Sequence, residues 1–173
     1  AELYFASADP PFSLVDAVDR MRDAGVDIVV DDITLINAAP FQFDQEPIAV
    51  QALVESGTFY FSAAGNVGNR QDSRVYEGDY VAGLAPFDLQ GYEDLHLYVD
   101  PVEGNSFANT ALANGRLCLY WADPVGASSN DYDLVLVNDN LDIVGVSNTI
   151  QDGSPGNEPW ECLEATRGQG ILV

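Results

Sequence analysis

Hydrophobic and polar positions change their rhythm near residue 75. Before it, segments of helical period alternate with short continuous apolar runs. "ELYFASA", residues 2–8, reads as a first strand. "PFSLVDAVDRMRDAG" follows as a helix, because Leu14, Val18 and Met21 recur at helical spacing, Ser13 and Asp16 form a variant capping box, and Gly25 terminates it. "VDIVVDDITLI" has a continuous apolar centre, which predicts a central parallel strand covered on both faces. After the loop "NAAPFQFDQ", a second helix is expected over "EPIAVQALVES", with Pro47 at or near its first position and Gly57 as its stop. "TFYFSA" closes the unit as another strand.

Beyond residue 75 no convincing helical period occurs. The runs "DYVAGL", "EDLHLYVD", "GRLCLYWAD", "DYDLVLVND", "LDIVGVS", "PWECLEAT" and "GQGILV" are short, strand-like and separated by Gly-, Asn- and Asp-rich turns. That spacing predicts an antiparallel β-sandwich or jelly roll, with residues 101–115 mostly loop. The expected organisation is therefore an α/β unit with a partial parallel sheet at 1–74, followed by a β-sandwich at 79–173. In "DLHLYV", Leu95, Leu97 and Val99 share one face, so His96 is expected on the other, at the surface.

Composition adds one strong constraint. The 173 residues carry 28 acidic against 6 basic side chains, a formal charge of −22. Such a chain is a poor partner for nucleic acid or anionic membrane. It suits a secreted or salt-exposed protein. No stretch approaches the length of a membrane span and no signal peptide is read at the start, so no span is expected.

Candidate chemistry is sparse. Cys118 and Cys162 both lie in strand-like runs, and either buried free thiols or one disulfide joining two strands fits them. Asp131, Asp133 and Asp139 surround one strand and offer oxygen ligands for calcium. Their spacing is not that of an EF-hand, and turn chemistry by Asp and Asn is the preferred reading. Adjacent Asp31 and Asp32 point to opposite faces of a strand and so make a poor carboxylate pair. The single histidine lies in the later part of the chain, so no Ser-His-Asp set can be drawn onto the α/β unit. What remains is Asn66 in "YFSAAGN", a carboxamide on a turn straight after a strand, where it either reverses the chain or aims its NH₂ at an oxyanion.

The run "AGVDIVVDDITLINAAPFQFDQEPIAVQALVESGTFYFSAAGNVGN", residues 24–69, resembles the core of a subtilisin-like serine protease, the subtilase family. There, a strand beginning "GADVINMSLG" precedes a helix and then "SGVVVVAAAGNEG", whose asparagine supplies the oxyanion hole. The resemblance places Asn66 on that asparagine. It places Asp32, Ile33 and Thr34 on the Ser-Leu-Gly that lines the first specificity pocket, with Asp32 replacing the serine and Thr34 the glycine. The later strands, chiefly "LYWADPVGASSNDYDLVLVNDN", resemble a prepeptidase C-terminal or proprotein-convertase domain, as inserted in a branch of large secreted bacterial subtilases. The family's aspartate motif, "HGTH" and "GTSMAxPH" are absent from this chain. The resemblance thus implies an internal part of a peptidase, inactive alone, whose partners are a polypeptide substrate and the flanking segments of the same protein.

Two other classes fit the residues. One is a non-catalytic secreted binding or adhesion module for glycan or protein, which would show an exposed row drawn from Tyr92, Tyr98, Tyr120, Trp121, Tyr132 and Trp160. The other is an interaction fragment whose open sheet edge pairs with another chain.

Overall fold

The computed structural model describes residues 1–8, 13–33, 35, 40–65, 75–89, 91–100, 104–111 and 113–173. The chain divides into two compact units, Ala1–Asn66 and Val67–Val173. The fold is mixed α/β, with two helices, one parallel strand pair and several small antiparallel sheets among the described residues.

The first unit contains α1 (Leu14–Asp23), β1 (Ile28–Asp31), α2 (Gln45–Glu55) and β2 (Phe59–Ser62). Helix α1 starts in a reciprocal cap: the Asp16 amide donates to Ser13 Oγ at 3.2 Å and the Ser13 amide donates to Asp16 Oδ2 at 3.0 Å. Those bonds satisfy two amides that the helix leaves without partners. Arg20 and Arg22 lie in its last turn, where cations complement the helix dipole. Helix α2 starts at Gln45 behind Asp44, so Pro47 is its third residue rather than its first. The position still suits proline, because the first four amides have no intrahelical acceptor.

Strands β1 and β2 pair in parallel, from Ile28 against Phe59 to Asp31 against Ser62. Alternation then sends Val29 and Tyr60 to one face, where they pack with Leu14, Val18, Ala49 and Leu53 from the two helices. The other face carries Ile28, Val30, Phe59 and Phe61, which are 60%, 73%, 67% and 56% exposed. The expectation of a strand covered on both faces is corrected here, since both helices lie on the same side. "ELYFASA" also forms no strand. Leu3 is 98% and Phe5 93% exposed, and apolar alternation without a hydrogen-bonding neighbour does not make a strand.

In the second unit no helix occurs among the described residues. Its strands are β3 (Ala82–Leu89), β4 (Tyr92–His96), β5 (Tyr98–Asp100), β6 (Gly104–Ser106), β7 (Asn109–Thr110), β8 (Gly115–Tyr120), β9 (Leu134–Val137), β10 (Ile143–Ser147), β11 (Trp160–Ala165) and β12 (Gly170–Leu172). The short strands β6 and β7 occupy part of the segment expected to be loop. A four-stranded antiparallel sheet has the order β10-β9-β12-β7, and the pairs β11-β8, β3-β4 and β5-β6 are separate ladders.

Strand β9 is the centre of this unit, with all four residues buried. Val135 and Val137 join Leu89, Leu95 and Leu172 in one cluster, while Leu136 joins Ala111 and Ala165, with Leu117 and Leu163 against them. One face of the four-stranded sheet is thus covered by residues of β3 and β4, the other by residues of β8 and β11. The described strands form no closed barrel.

Candidate functional site

The parallel pair brings the carboxyl ends of β1 and β2 level with each other, the position at which open α/β sheets place their functional groups. Asp31 stands opposite Ser62, and the Ala63 amide donates to the Asp31 carbonyl at 3.2 Å. The Asp31 carboxylate accepts from Ser62 Oγ at 2.9 Å and from the Tyr60 hydroxyl. It therefore joins the two strand ends. Burial, together with the bond to Asp31, pushes the Tyr60 hydroxyl well above the usual phenol range and keeps it protonated as the donor.

Asp32 and Ile33 follow β1 and are exposed, while Asp31 is half-buried. After β2 the chain reaches Gly65 with φ +76°, a left-handed conformation that favours glycine. Asn66 and Thr34, the proposed oxyanion donor and the third pocket residue, lie outside the described residues.

Cys118 and Cys162 are bonded to each other. They are opposed in the β8–β11 ladder, so the bridge links neighbouring strands rather than crossing the core.

The three aspartates considered for calcium do not converge. Asp131 Oδ1 accepts the Gln151 amide at 3.1 Å. Asp133, near it, hydrogen-bonds Tyr92. Burial first, then the negative charges of Asp131 and Glu161, push the Asp133 carboxyl above its ordinary value, with the Tyr92 bond opposing. Asp139 lies past the far end of β9, whose four residues span about 13 Å. The turn there is held by Asn138, whose Oδ1 accepts the amides of Asn140 at 2.9 Å and Asp142 at 3.0 Å. Among the described residues, no three His, Cys, Asp or Glu side chains come together as a metal site.

Sequence reasoning missed three buried polar centres. Asp123 accepts from Ser128 Oγ at 3.0 Å, from the amides of Ser129 at 2.9 Å and Asn130 at 2.7 Å, and from Asn130 Nδ2 at 2.6 Å. Trp121 Nε1 donates to the same Ser128 hydroxyl at 2.9 Å. The Asn130 amide leads the donors that hold the Asp123 carboxyl below its usual value despite burial. Glu161, buried in β11, accepts from the Ser147 hydroxyl, the Thr149 amide at 2.7 Å and Gln151 Nε2 at 2.8 Å. Alternation offered a signal for Glu161, because it shares a strand face with Leu163 and Ala165.

The third centre is His96. The expectation of a surface histidine is overturned: His96 is 5% exposed, while Val99 is exposed. The ladder breaks at Leu97, between β4 and β5, so the alternation assumed across "DLHLYV" does not run through it. The six aromatics that would form a binding row are all at least partly covered. Tyr98 and Trp121 are buried, and Tyr92, Tyr120, Tyr132 and Trp160 are intermediate.

No helix among the described residues is long and apolar enough to cross a membrane. Comparison of the chain with protein-family models, with curated proteins and with solved structures finds no match to any of them.

Proposed function

We propose that residues 1–74 are part of the core of a subtilisin-like serine endopeptidase, that residues 79–173 form an accessory jelly-roll-like domain resembling a prepeptidase C-terminal or proprotein-convertase domain, and that this chain alone is inactive. The observation that carries the reading is the one-sided parallel unit. Two helices cover one face of β1–β2, and the opposite face presents Ile28, Val30, Phe59 and Phe61 to solvent. Further segments of a larger peptidase core are the partners that would complete such a sheet.

In this reading Asn66 donates its side-chain NH₂ to the oxyanion of the tetrahedral intermediate. Asp32, Ile33 and Thr34 edge the pocket for a polypeptide substrate. A fixed carboxamide donor acts on the transition state more than on the ground state. It does nothing without an attacking group, and the one histidine of the chain is buried in the second unit, with its Nδ1 already accepting a main-chain amide. The Cys118–Cys162 bridge and the acidic composition support a secreted location. For the adhesion reading, Tyr98 and Trp121 are buried and Tyr92, Tyr120, Tyr132 and Trp160 are partly covered, so these six do not supply the exposed row that would favour it.

Two measurements test the proposal. Purified residues 1–173 should neither cleave casein nor react with a fluorophosphonate, and stoichiometric labelling of any serine here overturns it. In the longer polypeptide that the reading requires, a serine outside these residues should label. Asn66→Ala should then lower kcat by roughly 10²–10³ with KM nearly unchanged. Activity unaffected by that substitution removes Asn66 from the role.

A further inference from the structure

His96 is the only histidine of the chain, and its surroundings favour the neutral ring. Its Nδ1 accepts the Val81 amide at 3.1 Å, which assigns the ring proton to Nε2. The main chain at the same place is tied twice more: the Leu97 amide donates to the Val81 carbonyl at 2.8 Å, and the His96 amide donates to the Val173 carbonyl at 2.6 Å. Three rings enclose the imidazole. Tyr80 stacks on it at 5.4 Å between centroids, Tyr98 meets it edge-on at 4.7 Å, and Tyr76 is tilted at 5.7 Å.

We infer that His96 is an acid-sensitive latch of the second unit: as a neutral acceptor it fastens the 76–81 segment to β4, and protonation releases that segment and opens the tyrosine cluster. The reason is local. A proton on Nδ1 removes the acceptor of the Val81 amide and sets two N–H groups against each other at hydrogen-bond distance. Among the described side chains, the titratable groups that face the ring are tyrosines: Tyr76 and Tyr80 from the segment before β3, and Tyr98 from β5. Asp94, on the same strand as His96, acts on Tyr80 instead. Among the described side chains no carboxylate acts on the imidazole, and burial sets its value below the ordinary 6.5.

For a histidine with a depressed folded value, stability is full above the unfolded value. It is lost as pH falls from 6.5 toward the folded value.

The test uses the intact chain with ¹⁵N-labelled histidine, whose one imidazole gives an unambiguous NMR signal, beside His96→Asn. Asparagine keeps an oxygen where Nδ1 stands and does not titrate. The expected results are an Nε2–H tautomer at neutral pH and a titration midpoint below 6.5. The wild-type Tm should also fall relative to His96→Asn between about pH 7 and pH 5. Carboxylate protonation is common to both proteins and cancels in that difference. An Nδ1–H tautomer, a midpoint at or above 6.5, or a Tm difference that stays flat with pH overturns the inference. The NMR readouts decide it on the wild type alone if His96→Asn does not fold.

Discussion

Strands β1 and β9 are both continuous apolar runs, Ile28 to Val30 in one and Leu134 to Val137 in the other, yet they end in opposite environments. β9 is buried on both faces because β3–β4 residues cover one side and β8–β11 residues the other. β1 is covered by helices on one side, and Ile28 and Val30 face solvent on the other. A continuous apolar run therefore states how many covers a strand requires. It does not state that the covers lie in the same unit.

The largest expected contrast is mutational. Leu136, 1% exposed in the centre of the second unit, should cost about 2–5 kcal/mol when changed to Ala, from lost burial and the cavity left behind. Phe61→Ser, on the open face of the first unit, should change thermal or denaturant stability by no more than about 0.5 kcal/mol and should raise solubility. A cost of several kcal/mol for Phe61→Ser would break the comparison, since it would mean that the face is covered in solution.

Next in size is the disulfide. It closes a sequence separation of 44 residues around β9 and β10, and the chain-entropy estimate for such a loop is about 4 kcal/mol. Cys118→Ser with Cys162→Ser should lower stability of the second unit by roughly 2–4 kcal/mol in urea melts. It should leave the α1–α2 packing of the first unit unchanged by helical circular dichroism.

The elements that were legible in the sequence share one property: their causes are local. Ser13, Asp16 and Gly25 bracket α1 within one short segment, and Gly57 ends α2 in the same way. Most later strands were visible from alternation and turn residues, whereas β6 and β7 fall in a stretch expected to be loop. What could not be read depended on partners distant in the chain. His96 was misplaced because the break at Leu97 comes from pairing, with Val81 bonding both His96 and Leu97. Asp123 gives no local signal, because the amides of Ser129 and Asn130 reach its carboxylate only once the turn has folded. Of the site residues, Asp32 and Ile33 follow β1 directly, and Asn66 and Thr34 fall outside the described residues.

A smaller effect separates the acids of the second unit. Asp133 has a raised value, so ionising it opposes folding. As pH falls through the folded value toward the ordinary 3.8, wild type should gain stability relative to Asp133→Asn. Asp123 has a lowered value, so its contribution is present above 3.8 and is lost as pH falls further toward its folded value. Tm measured against pH for each Asn variant should therefore show slopes of opposite sign. Slopes of one sign would remove the distinction between a crowded carboxylate and a bonded one.

The smallest effect is expected from calcium. At fixed high ionic strength, where added cations no longer relieve the −22 charge, stoichiometric calcium should not raise Tm in a saturable way. A saturable rise that Asp133→Asn abolishes would show instead that Asp131 and Asp133 serve as ligands.

Amide hydrogen exchange on the intact chain compares the two sheets most directly. The Phe59 amide bonds the Asp27 carbonyl and the Ala63 amide bonds the Asp31 carbonyl, and both hold β2 against β1. They should exchange several orders of magnitude faster than the β9 amides of Leu134–Val137, because a sheet with one cover opens at low cost and a sheet with two opens only with its whole unit. Equal protection of Phe59, Ala63 and β9 would contradict the reading of the first unit as an incomplete core.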